Sequence, residues 1–298
     1  MKRVLKSYTI PSLLETFTLL KEESPHYTFH SEVYGIEMSA VPRDYISKHY
    51  LPEEKLKAIF RLPKPDRLQK VIIELVSLLS VRSGIPISEF GITGSVLLEI
   101  HNPEFSDIDL TVYGRENSAL LKKTLREESI GRLEGKELKD WCKRKTERYP
   151  ITLKEALIIY RRKWNIGKFE GVNFSLHPVK TEEELEEKYG DKIYRALGEV
   201  TIGATVSEDL DSMFLPAVYK VEDVDITRGE AIGDIKEVVS YESLYADIAT
   251  EGERIKVRGK LEEVTEKKSG KVYYRVLVGS PQGKGREYIK PISDRVFS

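Results

Sequence analysis

A single cysteine, Cys142, stands in a chain of 298 residues. That excludes an intramolecular disulfide and every metal site built on several thiolates. Amide side chains are nearly as scarce, with two glutamines (Gln69, Gln282) and four asparagines beside 48 Lys/Arg and 49 Asp/Glu. Charged residues in that excess over thermolabile ones are a thermophile signature. No run of about 18 apolar residues occurs, so no membrane span is expected. The opening Met-Lys-Arg-Val-Leu-Lys lacks the apolar stretch of a signal peptide, and a cytoplasmic location is expected.

Net charge of one sign is also missing. The formal total is −1, which excludes a polycation that coats nucleic acid along its whole surface. The charge is nonetheless uneven. Residues 121–168 hold 15 Lys/Arg against 7 Asp/Glu, an excess of +8. Residues 205–250 hold 3 against 11, or −8, and residues 251–298 hold 12 against 7, or +5. A basic stretch attracts phosphate backbones, so RNA or DNA is an expected partner of the 121–168 region. A solvated, charged helix face explains residues 121–149 equally well.

The most informative segment is Gly91-Ile-Thr-Gly-Ser-Val-Leu-Leu-Glu-Ile-His-Asn-Pro-Glu-Phe-Ser-Asp-Ile-Asp-Leu110. A Gly94-Ser95 turn opens a short apolar run that can start a helix, and Asp107 and Asp109 sit one residue apart ahead of Thr-Val-Tyr113. On a strand, residues i and i+2 face one side, so the two carboxylates point together and Ile108 turns into the core. Aligned carboxylates repel unless a cation neutralises them, and Mg²⁺ is held by few carboxylates plus substrate phosphates.

This block resembles the nucleotidyltransferase superfamily typified by DNA polymerase β, the CCA-adding enzymes and the poly(A) polymerases, whose members carry Gly-Ser, a helix, then Asp-x-Asp on a strand. The clear likeness covers about residues 85–115 and, more weakly, extends to about 180. It implies that Asp107 and Asp109 bind Mg²⁺ or Mn²⁺, and that Gly94 and Ser95 bind the phosphates of an NTP. The reaction it implies is in-line transfer of an NMP to a hydroxyl on nucleic acid, protein or a small molecule. Backbone N–H groups at the turn and the helix N-terminus favour an anion there. Ser95 also reads as an ordinary N-cap, and the two roles are compatible.

Active members usually carry a third carboxylate on a neighbouring strand. The matching stretch is Phe169-Glu-Gly-Val-Asn-Phe-Ser-Leu-His-Pro178. Its alternation sends Val172, Phe174 and Leu176 one way and Asn173, Ser175 and His177 the other. The register that ends Asp-x-x-Pro in CCA-adding-type enzymes puts Ser175 where the aspartate is expected. Ser175 and His177 are therefore the candidates at the catalytic third position. His177 can take a proton from an acceptor hydroxyl, and it also reads as a surface histidine at a strand end. Glu170 and Glu99 are weaker substitutes. The alternative reading is a nucleotide- or RNA-binding module that has lost turnover with its third carboxylate.

Periodicity places helices at 10–21, 52 onward, 66–83, 136–148, 152–164 and about 181–194, with strands near 27–40. Arg161, Arg162 and Lys163 end one helix, either serving its dipole or gripping a triphosphate as cofactor-binding residues. From about Gly198 the texture changes to short strands, with a hairpin signal at Lys-Lys-Ser-Gly270. The expected fold class is α+β: an N-terminal α/β extension packed on the core (residues 1–50), a polymerase-β-type nucleotidyltransferase domain (51–195), and a small antiparallel β-barrel of OB type (196–298). Tyr273, Tyr274, Arg275, Arg286 and Tyr288 are the barrel residues suited to a single strand, half of them turned inward by parity. The overall pattern is similar to predicted archaeal nucleotidyltransferases joined to a β domain.

Overall fold

Asp66 accepts from the Gln69 N–H at 2.9 Å while the Gln69 side chain accepts from the Asp66 N–H at 2.9 Å. This capping box starts the longest helix of the computed structural model, and Gly84 stops it in the left-handed conformation. The structure describes residues 10–230 and 233–292. The first half contains α1 (Ile10–Glu23), β1 (Thr28–Ser31), β2 (Ile36–Ser39), α2 (Pro52–Phe60), α3 (Arg67–Ser83), β3 (Phe90–Ile92), α4 (Gly94–Leu97), β4 (Ile108–Tyr113), α5 (Arg115–Glu128) and α6 (Gly135–Arg148). It is followed by α7 (Leu153–Arg162), β5 (Ile166–Phe169), β6 (Val172–Val179), β7 (Lys192–Glu208), β8 (Ala217–Arg228), β9 (Ile235–Ser240), β10 (Arg254–Glu266), β11 (Val272–Val278) and β12 (Tyr288–Pro291). The fold is mixed α+β.

The described residues form two units. The first comprises residues 48–139 and 163–186. Its sheet runs β3-β4-β6-β5, with β4 and β6 parallel and the outer pairs antiparallel. The apolar stripe of α3 (Leu68, Ile72, Leu75, Leu79) is fully buried against Phe90, Ile108, Leu110, Val112, Phe174 and Leu176. Helix α2 approaches β3 so closely that a Cβ on Gly91 would lie 2.7 Å from Pro52 Cβ, which is why only glycine fits there.

The second unit comprises residues up to 47, 140–162 and 187 onward. In its sheet β7 pairs with β8, β8 with β9, β9 with β11, β11 with β10, and β10 with β7. The pairing circuit closes on itself; β9/β11 is its one parallel pair, and β12 is added beside β10.

The units break the chain at 47/48, 139/140, 162/163 and 186/187, so the second takes in two segments besides the β-rich one. Residues 28–39 join the second unit because Val33 O accepts from the Tyr194 N–H at 2.8 Å, Tyr34 stacks on Tyr194 and Ser31 bonds Tyr189 at 2.8 Å. Residues 140–162 join it through Tyr149, whose hydroxyl donates to Glu242 at 2.9 Å, and Lys290, which donates to Glu155 at 3.0 Å. Two expected helices are corrected. The helix expected over 181–194 is a single 3₁₀ turn, Glu182–Glu184, and Lys192 already begins β7. Gly190 at φ 90° interrupts the glutamate run, and the alternation of Ile193 and Arg195 pairs with β10 instead. The helix after Gly94 is one turn long, too short for an appreciable macrodipole.

Asp66→Ala should lower stability by about 1 kcal/mol, the usual worth of an N-cap. Burial pushes the Asp66 carboxyl up, but the Gln69 N–H and His101 outweigh it and hold it below the ordinary carboxylate value. With the folded value below the unfolded one, this contribution is complete above about pH 4 and fades as pH falls through the folded value. Urea denaturation at pH 7 and pH 3 checks it: the difference between wild type and variant should shrink at the lower pH.

Candidate functional site

Everything in this site belongs to the first unit. Residue 94 has a φ of 63°, a backbone state natural only to glycine. A Cβ built there would fall 2.3 Å from Asp109 Oδ2. Gly94 is thus glycine twice over, once for its own backbone and once for the carboxylate pressed against it. The Thr93 N–H, donating to Asp109 O at 2.8 Å, ties the turn to β4. Ser95 follows as the second residue of α4 and is half-buried.

Strand β6 lies parallel to β4 with Asp109 opposite Ser175 and Thr111 opposite His177. Phe174 and Leu176 are buried, so Asn173, Ser175 and His177 share the other face. Ser175 Oγ donates to Asp109 Oδ1 at 2.7 Å, and Asn173 Nδ2 donates to Asp107 Oδ1 at 3.3 Å. Both carboxylates therefore lie over the polar face of β6, as the i, i+2 spacing requires. Asp107 is exposed and Asp109 half-exposed.

His177 Nε2 meets Ser175 Oγ at 2.8 Å and stands 3.8 Å from Asp109 Oδ1. Ser175 spends its proton on Asp109, so the neutral imidazole donates from Nε2 and carries its lone pair on Nδ1. His177 holds the Asp109 carboxyl below its ordinary value; burial opposes this and Ser175 adds to it. At 3.8 Å the His177 ring reaches Asp109 through Ser175 rather than by a direct hydrogen bond.

Two aligned carboxylates with open coordination suit one hard divalent cation that takes its other ligands from phosphates or water. Among the described residues no three His, Cys, Asp or Glu side chains stand together as a metal-binding group. Glu99 is paired with Lys55 at 2.5 Å. Glu170 occupies the β5–β6 turn at φ 45°, beside Gly171 at φ 79°. That tight turn went unread in the sequence, although Glu-Gly between two alternating runs is a hairpin signal. Neither glutamate supplies a third carboxylate.

No family model and no solved structure matches the chain. Over 278 residues it is 32% identical to the uncharacterized protein MJ1086 of Methanocaldococcus jannaschii, a span that covers 92% of this chain and 79% of that protein. The chain belongs to the MJ1086 family. The family name carries no activity with it, and function has to come from the chemistry of the site.

Not every residue expected at the site of this MJ1086-family chain is brought to it. Arg161 and Arg162 end α7 in the second unit, and Lys163 begins the return to the first. Arg161 is exposed. Arg162 is buried, with both terminal nitrogens on the Glu253 carboxylate and one also on Ile248 O at 3.0 Å. A buried guanidinium already held bidentately by a part-buried carboxylate is committed to it, which corrects the phosphate-binding expectation for Arg162. Lys163 is buried too. In the closed circuit, Tyr273 and Arg275 are buried, the first donating to Glu237 at 3.2 Å and the second to Glu262 at 2.8 Å. These two are not available to a nucleic-acid strand, whereas Arg286 is exposed and Tyr274 and Tyr288 are half-buried.

Arg162→Ala removes the guanidinium from the part-buried Glu253, which keeps the Thr250 N–H at 2.9 Å, and should cost about 3 kcal/mol. The thermal midpoint should fall, which calorimetry reads directly.

Proposed function

We propose that this protein is a nucleotidyltransferase of the DNA polymerase β type, moving an NMP from an NTP to a hydroxyl acceptor with Mg²⁺ or Mn²⁺. The observation that carries this reading is the contact between the Gly94 backbone and the Asp109 carboxylate. It sets the Gly94-Ser95 turn tightly beside Asp109, one member of the carboxylate pair, an arrangement that suits a metal-bound triphosphate.

Asp107 and Asp109 would hold the ion, which when bound polarises phosphate oxygens and neutralises charge developing on pyrophosphate. The Gly94-Ser95 backbone and the Ser95 hydroxyl supply donors to the terminal phosphates. In the transfer itself, the acceptor oxygen bonds to the α-phosphorus as the bond to the β-phosphate bridge breaks. His177 Nδ1 takes the acceptor's proton. The polar face of β6 keeps Asp109 ionised and fixed in direction.

We read the first unit's β3-β4-β6-β5 sheet as the polymerase-β-type core, and the closed five-strand circuit as a small barrel of OB type. RNA or DNA as acceptor rests on the basic 121–168 region more than on the barrel. The β8–β9 side of that circuit lines a cavity of about 370 Å³ with Glu222, Asp223 and Asp234, the last paired with Lys236, a net acidic setting that disfavours phosphates.

The hydroxyl at position 175 favours a second reading, a nucleotide-binding protein without turnover. Pyrophosphate release separates the two. The first expects release that needs NTP, divalent ion and acceptor together, and that disappears in Asp107→Asn/Asp109→Asn. Binding of the NTP with no release in any acceptor mixture favours the second.

A further inference from the structure

We infer that the site holds one divalent ion rather than two, and that Asn173 and Ser175 give Asp107 and Asp109 the compensation a second ion would otherwise provide. This rests on the nucleotidyltransferase reading and narrows it.

The first argument is charge. Two carboxylates match one dication. The strand lying beside them carries Asn173, Ser175 and His177 on the facing side, and none of these is an anion. A second dication would sit between the substrate and a strand that offers it no negative charge. Ion pairing is the main term that draws a doubly charged ion out of water.

Hydrogen-bond direction gives the second argument. Asn173 aims an amide proton at Asp107 Oδ1, and Ser175 aims a hydroxyl proton at Asp109 Oδ1. Each proton occupies a lone pair on the β6 side of its carboxylate, leaving that oxygen less able to ligate an ion there. Asp109 Oδ2 remains on the other side, against the Gly94 turn. The pair of aspartates is thus divided, with Asp109 presenting one oxygen to the β6 donors and the other to the phosphate-side turn.

Glu99 is held by Lys55 and Glu170 lies in the hairpin turn, so no described carboxylate stands in for the absent one. With one ion, the residues left to direct the acceptor oxygen would be Ser175 and His177.

The test uses the full-length protein, Mn²⁺ as the ion and α,β-methylene-ATP as a nucleotide that cannot turn over. After ultrafiltration, the ion and nucleotide retained with the protein are measured in excess of the filtrate. One ion per retained nucleotide is expected, and Ser175→Asp should raise the ratio to two, while Ser175→Ala keeps it at one. Two ions per nucleotide in the wild type would overturn the inference and leave the nucleotidyltransferase reading intact. Retention of neither nucleotide nor ion would overturn that reading itself. A Ser175→Asp protein that is folded by circular dichroism yet still holds one ion would overturn the assignment of Ser175 to the second-ion position.

Discussion

Asp109→Asn is expected to lower the proposed nucleotide transfer by about a thousandfold or more while the protein keeps its fold. The amide oxygen of asparagine still accepts the Ser175 hydroxyl that now meets Asp109 at 2.7 Å, and β4 keeps its register with β6. What disappears is half the negative charge of the carboxylate pair. Charge stabilisation by a bound ion is worth several kcal/mol, and each 1.36 kcal/mol is tenfold in rate. Asp107→Asn should follow the same course, since Asp107 is the other member of the pair. Steady-state rates with unfolding curves run in parallel separate this loss from destabilisation. A variant within tenfold of wild type would remove Asp109 from the chemistry.

Gly94→Ala is expected to damage activity about as severely through a different route. A side chain at φ 63° costs about 1–2 kcal/mol by itself. The added methyl also lands 2.3 Å from Asp109 Oδ2, so the carboxylate must turn away from the phosphate side. Both stability and ion affinity should fall. A double mutant distinguishes the two costs: combined with Asp109→Ala, the Gly94→Ala substitution should retain only its backbone strain. Destabilisation by Gly94→Ala that is the same in both backgrounds would mean that the contact with Asp109 has no energetic weight.

How far the sequence reveals this arrangement depends on the range of the interactions. The face shared by Asn173, Ser175 and His177 follows from strand alternation, a local rule, and the burial of Phe174 and Leu176 is its other side. The α3 stripe and its capping box are equally local. Arg162 is different. Its cluster looks ready for phosphate, but its partner is Glu253, 91 residues later, and no local pattern announces that pairing. The same distance hides the attachment of residues 140–162 to the β-rich unit, made by Tyr149 with Glu242 and Glu155 with Lys290. Around 181–194 local propensity misleads outright. A glutamate-rich run favours helix, yet β10 takes Lys192 to Tyr194 as strand partners, and tertiary pairing wins.

The central claim, transfer of an NMP, is tested most directly by presenting the protein with NTP labelled at the α-phosphate and, in a parallel reaction, at the γ-phosphate. Each reaction contains Mg²⁺ and a mixture of small RNAs, with Asp107→Asn/Asp109→Asn alongside. The account predicts α-label joined covalently to an acceptor, no γ-label joined, and neither in the double variant. Transfer of γ-label, or α-label transfer that survives in the double variant, would contradict it.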